Sequence, residues 1–456
     1  TLTSVDSNAR TLSYATIANW VDPVTFNNAT MPSGAPPVLW AAVFRNGDIL
    51  PGTSRMRISP TIANNVLPLA PDTTPWSQAA TLSTFEAGDT IVVTQRGGSP
   101  PVIVSNSDSI TISNGVIYGS GAIALLLTST SNSTVDNVQV IPRPGFDLIS
   151  SNADGIHLGI SGPNNHITNC FVTKTMDDAL AIDSLDIATV IAFDSNAPNQ
   201  VTVQRNEFIH FPNGTAVNFV DPATGNELTG ATIVSQDPPD SPVPIANGSV
   251  QLTLDQNLSV TLASGFGMTF SGDTARGGGS SIEHNQVPET IFGRGIWISG
   301  AAGVTVKDNS LGNTSNGGIV VYQSTKASPG PPAHEIVIQG NKLNGSLGPM
   351  ASGTGTQIAT GGIIVASTGL TGQFFTSMPN TNISITGNRV LNSGRSGIWV
   401  GELNGGVIQN NKIKHWNRNP ELPVFGVNAQ VAAQLGQDFT QPLVIHNSQN
   451  VNTGDQ

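Results

Sequence analysis

Three aspartates in two short phrases are the residues of this chain best placed to do chemistry. Asp154 lies in Asn152-Ala153-Asp154-Gly155-Ile156-His157, and the pair Asp177 and Asp178 opens Asp177-Asp178-Ala179-Leu180-Ala181-Ile182-Asp183. Crowded carboxylates repel one another and push at least one pKa upward. One acid can then keep its proton while another stays ionised, the division that cleavage of a glycosidic bond requires. A carboxyl spread of about 6.5–9.5 Å favours inversion and about 5–5.5 Å favours retention, and the sequence leaves that choice open. The same acids also read as turn-capping aspartates or as a calcium site.

Other residues could serve the acids. His157, one outward step from Asp154, could position substrate or tune a carboxylate, or be an ordinary core or surface histidine. Lys174 and Arg294 supply positive charge for sugar hydroxyls or for a neighbouring carboxylate, or simply balance charge. Trp297, and less strongly Trp399, are expected to face outward, where an aromatic ring can stack on a sugar; the plainer reading is packing under a loop. Arg143 and Arg205 are weaker basic candidates, and Asp183, Asp186 and Glu283 are further acids that could stand in. No cofactor and no metal is expected, and Cys170, the only cysteine, excludes an internal disulfide and a cysteine-based zinc site. Its setting reads as a buried small hydrophobe.

The elements that must carry these residues come from a repeat. An alternating β-rich run followed by Asn recurs at Ile110–Asn114, Val135–Asn137, Val201–Asn206, Ile282–Asn285, Val304–Asn309, Ile336–Asn341, Ile383–Asn388 and Val407–Asn411. Several intervals are 23 or 24 residues, and Asp154 and Asp178 are 24 apart. Such a period with alternating strands marks a β-solenoid. Stacked coils put equivalent positions about 4.8 Å apart. Asn at a turn accepts left-handed backbone, and stacked Asn side chains can bond along the axis. The expected fold is therefore all-β: a right-handed parallel β-helix. A second phrase aligns Ile156, Leu180, Ile296, Ile319 and Ile398 inward, which puts Asp154, Asp178 and Arg294 in one column.

The pattern breaks between about 214 and 279, which reads as a small inserted antiparallel β domain, barrel-like in shape. The expected organisation is a cap or side region over 1–84, first coils over 85–213 with entry at Phe85–Val93, the insert over 214–279, and later coils over 280–456. Pro36-Pro37, Trp40 and Trp76 fall in the cap.

A net charge of −12 argues against nucleic acid and an acidic membrane surface, and no apolar run approaches a membrane span. The start at Thr1 without Met reads as a processed end and so as export, secreted or periplasmic.

Asn-x-Asp-Gly followed by Asp-Asp-x-x-Ala-Ile resembles the catalytic pattern of the polygalacturonase-type β-helical glycoside hydrolases. The resemblance implies that Asp154, Asp177 and Asp178 hydrolyse with inversion. This chain has no Gly-His-Gly after the acid pair and no Arg-Ile-Lys, so the uronate-binding half is missing. The layout over about 85 to 415, with an insert and then Arg294-Gly295-Ile296, is more similar to the β-helical α-galactosidases of glycoside hydrolase family 110. That likeness implies an exo-acting, inverting, metal-independent hydrolase of an α-linked sugar, and the low charge of the surrounding strands favours a neutral glycan. The rivals are a polysaccharide lyase using Lys174 or Arg294 as base, and a non-catalytic glycan-binding or adhesion solenoid.

Overall fold

A computed structural model describes residues 1–6, 11–15, 39–50, 56–58, 66–68, 84–95, 99–205, 209–240, 248–259, 262–325, 329–347, 360–369, 374–418 and 441–454. Pro36-Pro37, Trp76 and Asn206 lie outside the described residues. The chain is a parallel β-helix with three sheets. Each full coil contributes one short strand to each sheet, as in Leu125–Thr128, Thr134–Asp136 and Gln139–Ile141. The first and second sheets have nine strands and the third has eight. Strands of Val, Ile and Leu at alternate positions put every second side chain inside, and Ile156, Leu180, Ile296, Ile319 and Ile398 form part of one buried core. Among the described residues no helix is long and apolar enough to cross a membrane.

The asparagines occupy two neighbouring columns, which the sequence reading had merged. Asn114, Asn137 and Asn410 adopt left-handed backbone at a turn, where His284, Asp308 and Gly340 stand on other coils. One residue further on, Asn285, Asn309, Asn341, Asn388 and Asn411 form a ladder. Each of the first four donates both its backbone N–H and its side-chain amide to the next Oδ1, at 2.9–3.0 Å. Cys170 occupies the top of this ladder, donating its N–H to Asn285 Oδ1 at 2.8 Å. It is buried as expected, and burial pushes its thiol up to about 11.

The insert is a closed six-stranded barrel that runs from Ala188–Phe193 to Gly267–Phe270. The expected boundary near 214 therefore falls inside it. The strand Gln200–Arg205, read above as a solenoid phrase, pairs antiparallel with Ala188–Phe193 and Ser249–Leu254. Alternation is the same in a barrel strand and a coil strand, so only the pairing partner tells them apart. The barrel sits between Leu180–Asp183 and Ser281–Glu283, within one coil.

Regular coils begin at Val102–Ser105. Thr90–Gln95, expected to enter them, instead pairs antiparallel with Leu39–Arg45 in an N-terminal sheet. That sheet packs Ala42, Phe44, Ile49 and Val92 against Met176 and Ile291, at the corner between the third and first sheets. The acids lie at this corner.

Candidate active site

Asp154 and Asp178 each stand two residues before a strand of the first sheet, and so does Arg294. Strand register aligns Ile156 with Leu180 and Leu180 with Ile296, so the three form one column, as expected. Backbone bonds hold it: Gly155 donates to the Asp178 carbonyl at 2.9 Å and Ala179 to the Arg294 carbonyl at 2.9 Å. Asp177 joins from the same turn, where Thr175 Oγ1 donates to its carbonyl at 2.7 Å. Gly293 lets the next coil pass this close. Its φ is 100°, and a Cβ there would lie 2.3 Å from the Asp177 carbonyl carbon.

Asp154, Asp177 and Asp178 each bring one carboxylate oxygen within 4.8 Å of the others, and each residue is 9% exposed or less. Three acids at this spacing could in principle grip a cation, but a protein cation is already there. Arg294 Nη2 pairs with Asp178 Oδ2, and the Arg294 backbone N–H donates to Asp178 Oδ1 at 2.8 Å. Burial pushes Asp178 up to about 7, Arg294 opposes this, and the charges of Asp177 and Asp154 add to it. Among the described residues Asp273, His334 and Glu335 form a second, more exposed group of possible ligands.

His157 lies between two carboxylates. Its Nδ1 is 2.5 Å from Asp154 Oδ2, and its Nε2 is 2.7 Å from Asp183 Oδ2. Burial lowers its basicity, but Asp183 and Asp154 more than offset that and hold it well above the usual imidazole range. It is therefore an imidazolium near neutral pH, donating from both nitrogens. The other Asp183 oxygen accepts the Ile160 N–H at 2.9 Å. Ile160 has φ 48°, a strained setting for a β-branched residue, and with His210 and Phe270 of the barrel it lines a groove between the two bodies.

Two candidates fare differently from expectation. Trp297 points away from the coil core as expected, but it is only 6% exposed. The outward row Ala181, Trp297, Val320, Ile364, Trp399 and Val444, one residue per coil, packs with Phe374 into an apolar cluster of its own. Phe374 stacks on Trp399 with ring centres 5.2 Å apart, and the Arg294 guanidinium lies 3.8 Å over the Trp297 ring. Trp297 thus orients Arg294 and offers no open face to a sugar, because Arg294 and Tyr322, whose ring centre lies 5.4 Å away, pack against it. Lys174 does not join the acids. Its ammonium donates to the Gly47 carbonyl at 3.2 Å and lies beside Glu289, pinning the N-terminal sheet to the corner. Arg205 pairs with Asp240 at 3.0 Å in the barrel, and Arg143 with Asp147 at 3.4 Å.

Arg276 escaped the sequence reading. It is buried, and it donates to the Gly300 carbonyl at 3.0 Å, to Glu227 Oε2 at 2.8 Å and to the Pro332 carbonyl. It ties barrel to solenoid. Only its place in a Gly-rich phrase, Arg276-Gly277-Gly278-Gly279, marked it in the sequence.

No protein-family model and no curated protein matches the chain, so the likeness to glycoside hydrolase family 110 finds no support there. Among solved structures the chain is similar to the tailspike gp61 of Pseudomonas phage phi297, with 11% identity, 61% of this chain and 49% of that one covered, and a TM-score of 0.21. It is also similar to the tailspike gp49 from Pseudomonas phage LKA1, with 10% identity, 69% and 54% covered, and a TM-score of 0.18. The chain spans about half the length of these tailspikes. TM-scores this low carry no argument; the fold rests on the strand register.

Proposed function

We propose that this protein is a glycoside hydrolase whose active site is the Asp154, Asp177 and Asp178 cluster. The observation that carries the reading is the pairing of unlike carboxyls within 4.8 Å: Asp178 pushed up to about 7, and Asp154 accepting from an imidazolium. Asp178 is the general acid. A glycosidic oxygen that displaces the guanidinium from Asp178 Oδ2 meets a carboxyl able to carry and deliver a proton. The proton moves to the leaving oxygen as the C–O bond breaks. Asp154 supplies the opposing carboxylate, and Asp177 keeps Asp178 protonated by repulsion. Four acids, Asp154, Asp177, Asp178 and Asp183, face two cations, Arg294 and His157, so a uronate would be repelled and a neutral glycan favoured. The lyase rival loses its bases, since Lys174 lies against the N-terminal sheet and the guanidinium of Arg294 keeps its proton at neutral pH.

The test is a panel of nitrophenyl α- and β-glycosides of neutral sugars. Asp178→Asn should lower turnover by about 10²–10⁴-fold with unchanged circular dichroism. Turnover that survives both Asp178→Asn and Asp154→Asn sinks the assignment, whereas glycan binding without turnover that survives both favours the adhesion reading.

The stereochemistry has its own argument. The resemblance implied inversion. On that expectation Asp154 is the base that activates a water: proton NMR of the first-formed sugar should show the anomer opposite to the substrate's, and the substrate's own anomer would instead mean direct attack by a carboxylate, followed by water on the glycosyl-enzyme.

A further inference from the structure

We propose that Asp183 is a positioning residue for this reaction: through the imidazole of His157 it holds Asp154 aligned against the Asp177 and Asp178 pair. This rests on the hydrolase reading above. Asp183 is the last residue of Leu180–Asp183, five beyond Asp178, and on sequence alone it is only one more nearby acid. In the fold both its oxygens are committed, Oδ2 to His157 Nε2 and Oδ1 to the Ile160 N–H. It therefore has no role as a free acid or base. The imidazole transmits its position: His157 lies in the strand Ile156–Gly159, and its other nitrogen fixes Asp154 Oδ2 at 2.5 Å. One oxygen of Asp154 is thus clamped and the other is left for the reacting centre. The chain of bonds from Ile160 N–H through Asp183 and His157 to Asp154 crosses two coils, so coil stacking itself sets the position of the catalytic carboxylate.

Charged groups near His157 stand on its own coil and on the two that follow. Its own coil supplies Asp154, the next supplies Asp183 with Asp177 and Asp178 beyond, and the one after supplies Arg294. The preceding coil presents uncharged Leu126. Asp183→Asn removes one of the two anions in contact with the ring while changing little in size. The amide oxygen can still accept the Ile160 N–H, and the amide nitrogen then faces Nε2. Two donors cannot face each other, so the ring gives up its Nε2 proton and its charge, as in an acid-to-amide change beside a catalytic histidine.

The experiment measures kcat, KM and the pH profile of Asp183→Asn beside Asp178→Asn on the best glycoside of the panel. The expected result is a kcat lower by about 10²-fold with KM little changed. The alkaline limb should move to lower pH, and the His157 ring, followed by its nitrogen chemical shifts, should lose its proton earlier. A purely structural Asp183 would only brace the strained Ile160 turn at the groove wall. Asparagine keeps that brace, so kcat, KM and the pH profile would stay those of the parent, and that outcome overturns the inference. An inactive Asp178→Asn beside a parent-like Asp183→Asn defeats this inference alone, whereas turnover that survives both Asp178→Asn and Asp154→Asn defeats the hydrolase reading. His157→Gln leaves the Asp183 and Ile160 bond in place and guards against misfolding. It should lose kcat to a similar extent, and the double variant should be no worse than either single one; strictly additive losses count against the relay.

Discussion

At the scale of residues, the protein concentrates buried acids where burial works against their charge. Asp178 is pushed up to about 7 and Asp186 to about 8, in each case chiefly by burial, and Glu402 also stands well above the usual carboxylate range. His157 is raised as well. The sign is the same for all four. The folded state binds protons that the unfolded chain releases above its ordinary pKa values, so their contribution to stability is complete at low pH and lost as pH rises through the folded values. Between about pH 4 and 8 the melting temperature should therefore fall as pH rises. Asp186, at the entry to the barrel, is packed so closely that a Cβ on Gly267 would lie 1.9 Å from its Oδ2. Asp186→Asn carries no charge at any pH, so scanning calorimetry should show a flatter pH dependence and a higher melting temperature near pH 8. A slope equal to that of the parent would show that Asp186 is not among the groups responsible.

At the scale of elements, each coil from Asn285 to Asn411 is held by its strands and by one inward asparagine. Asn309 Oδ1 accepts the backbone N–H and the side-chain amide of Asn285, and its own amide donates to Ile282 and Asn341. Asn309→Ala leaves several of these groups buried without partners. It should cost about 2–4 kcal/mol in urea unfolding. Asn137 is exposed in the neighbouring column at φ 51°, where glycine is at ease. Asn137→Gly should change stability by under about 1 kcal/mol. Equal effects at the two sites would mean that the ladder is no more than a turn preference. The repeat made the coils legible, because a strand's alternation and its Asn are local signals. It did not separate the two columns, because they differ by one residue and only side-chain direction tells them apart.

At the scale of the whole molecule, the barrel and the N-terminal sheet are both fastened to the solenoid by buried cations or apolar corners. Arg276 joins the barrel residue Glu227 to the Gly300 and Pro332 carbonyls of the coils. Replacing it with Met strands a carboxylate and two carbonyls. A destabilisation of about 3–5 kcal/mol is expected. Calorimetry should show the barrel melting ahead of the coils, and a single unshifted transition would refute the clasp. On the other side, Met176 and Ile291 bring the N-terminal sheet to the corner beside Asp177 and Arg294. The acids therefore lie where the coils meet the N-terminal sheet, with the coils supplying the column.

The sequence by itself determined the solenoid, the inserted β domain and the column of Asp154, Asp178 and Arg294. A period near 24 residues places equivalent positions one above another whatever surrounds them. It also carried the burial of Cys170 and the outward direction of Trp297. Tertiary structure alone decided what each outward residue meets. Outward from a coil is not the same as exposed, so Trp297 is covered by Tyr322 and Arg294 while Lys174 is drawn to Gly47. Pairing partners, invisible to alternation, moved Thr90–Gln95 into the N-terminal sheet and Gln200–Arg205 into the barrel. The bond from Asp183 to His157 belongs with these, because it joins residues 26 apart that meet only when one coil lies on the next.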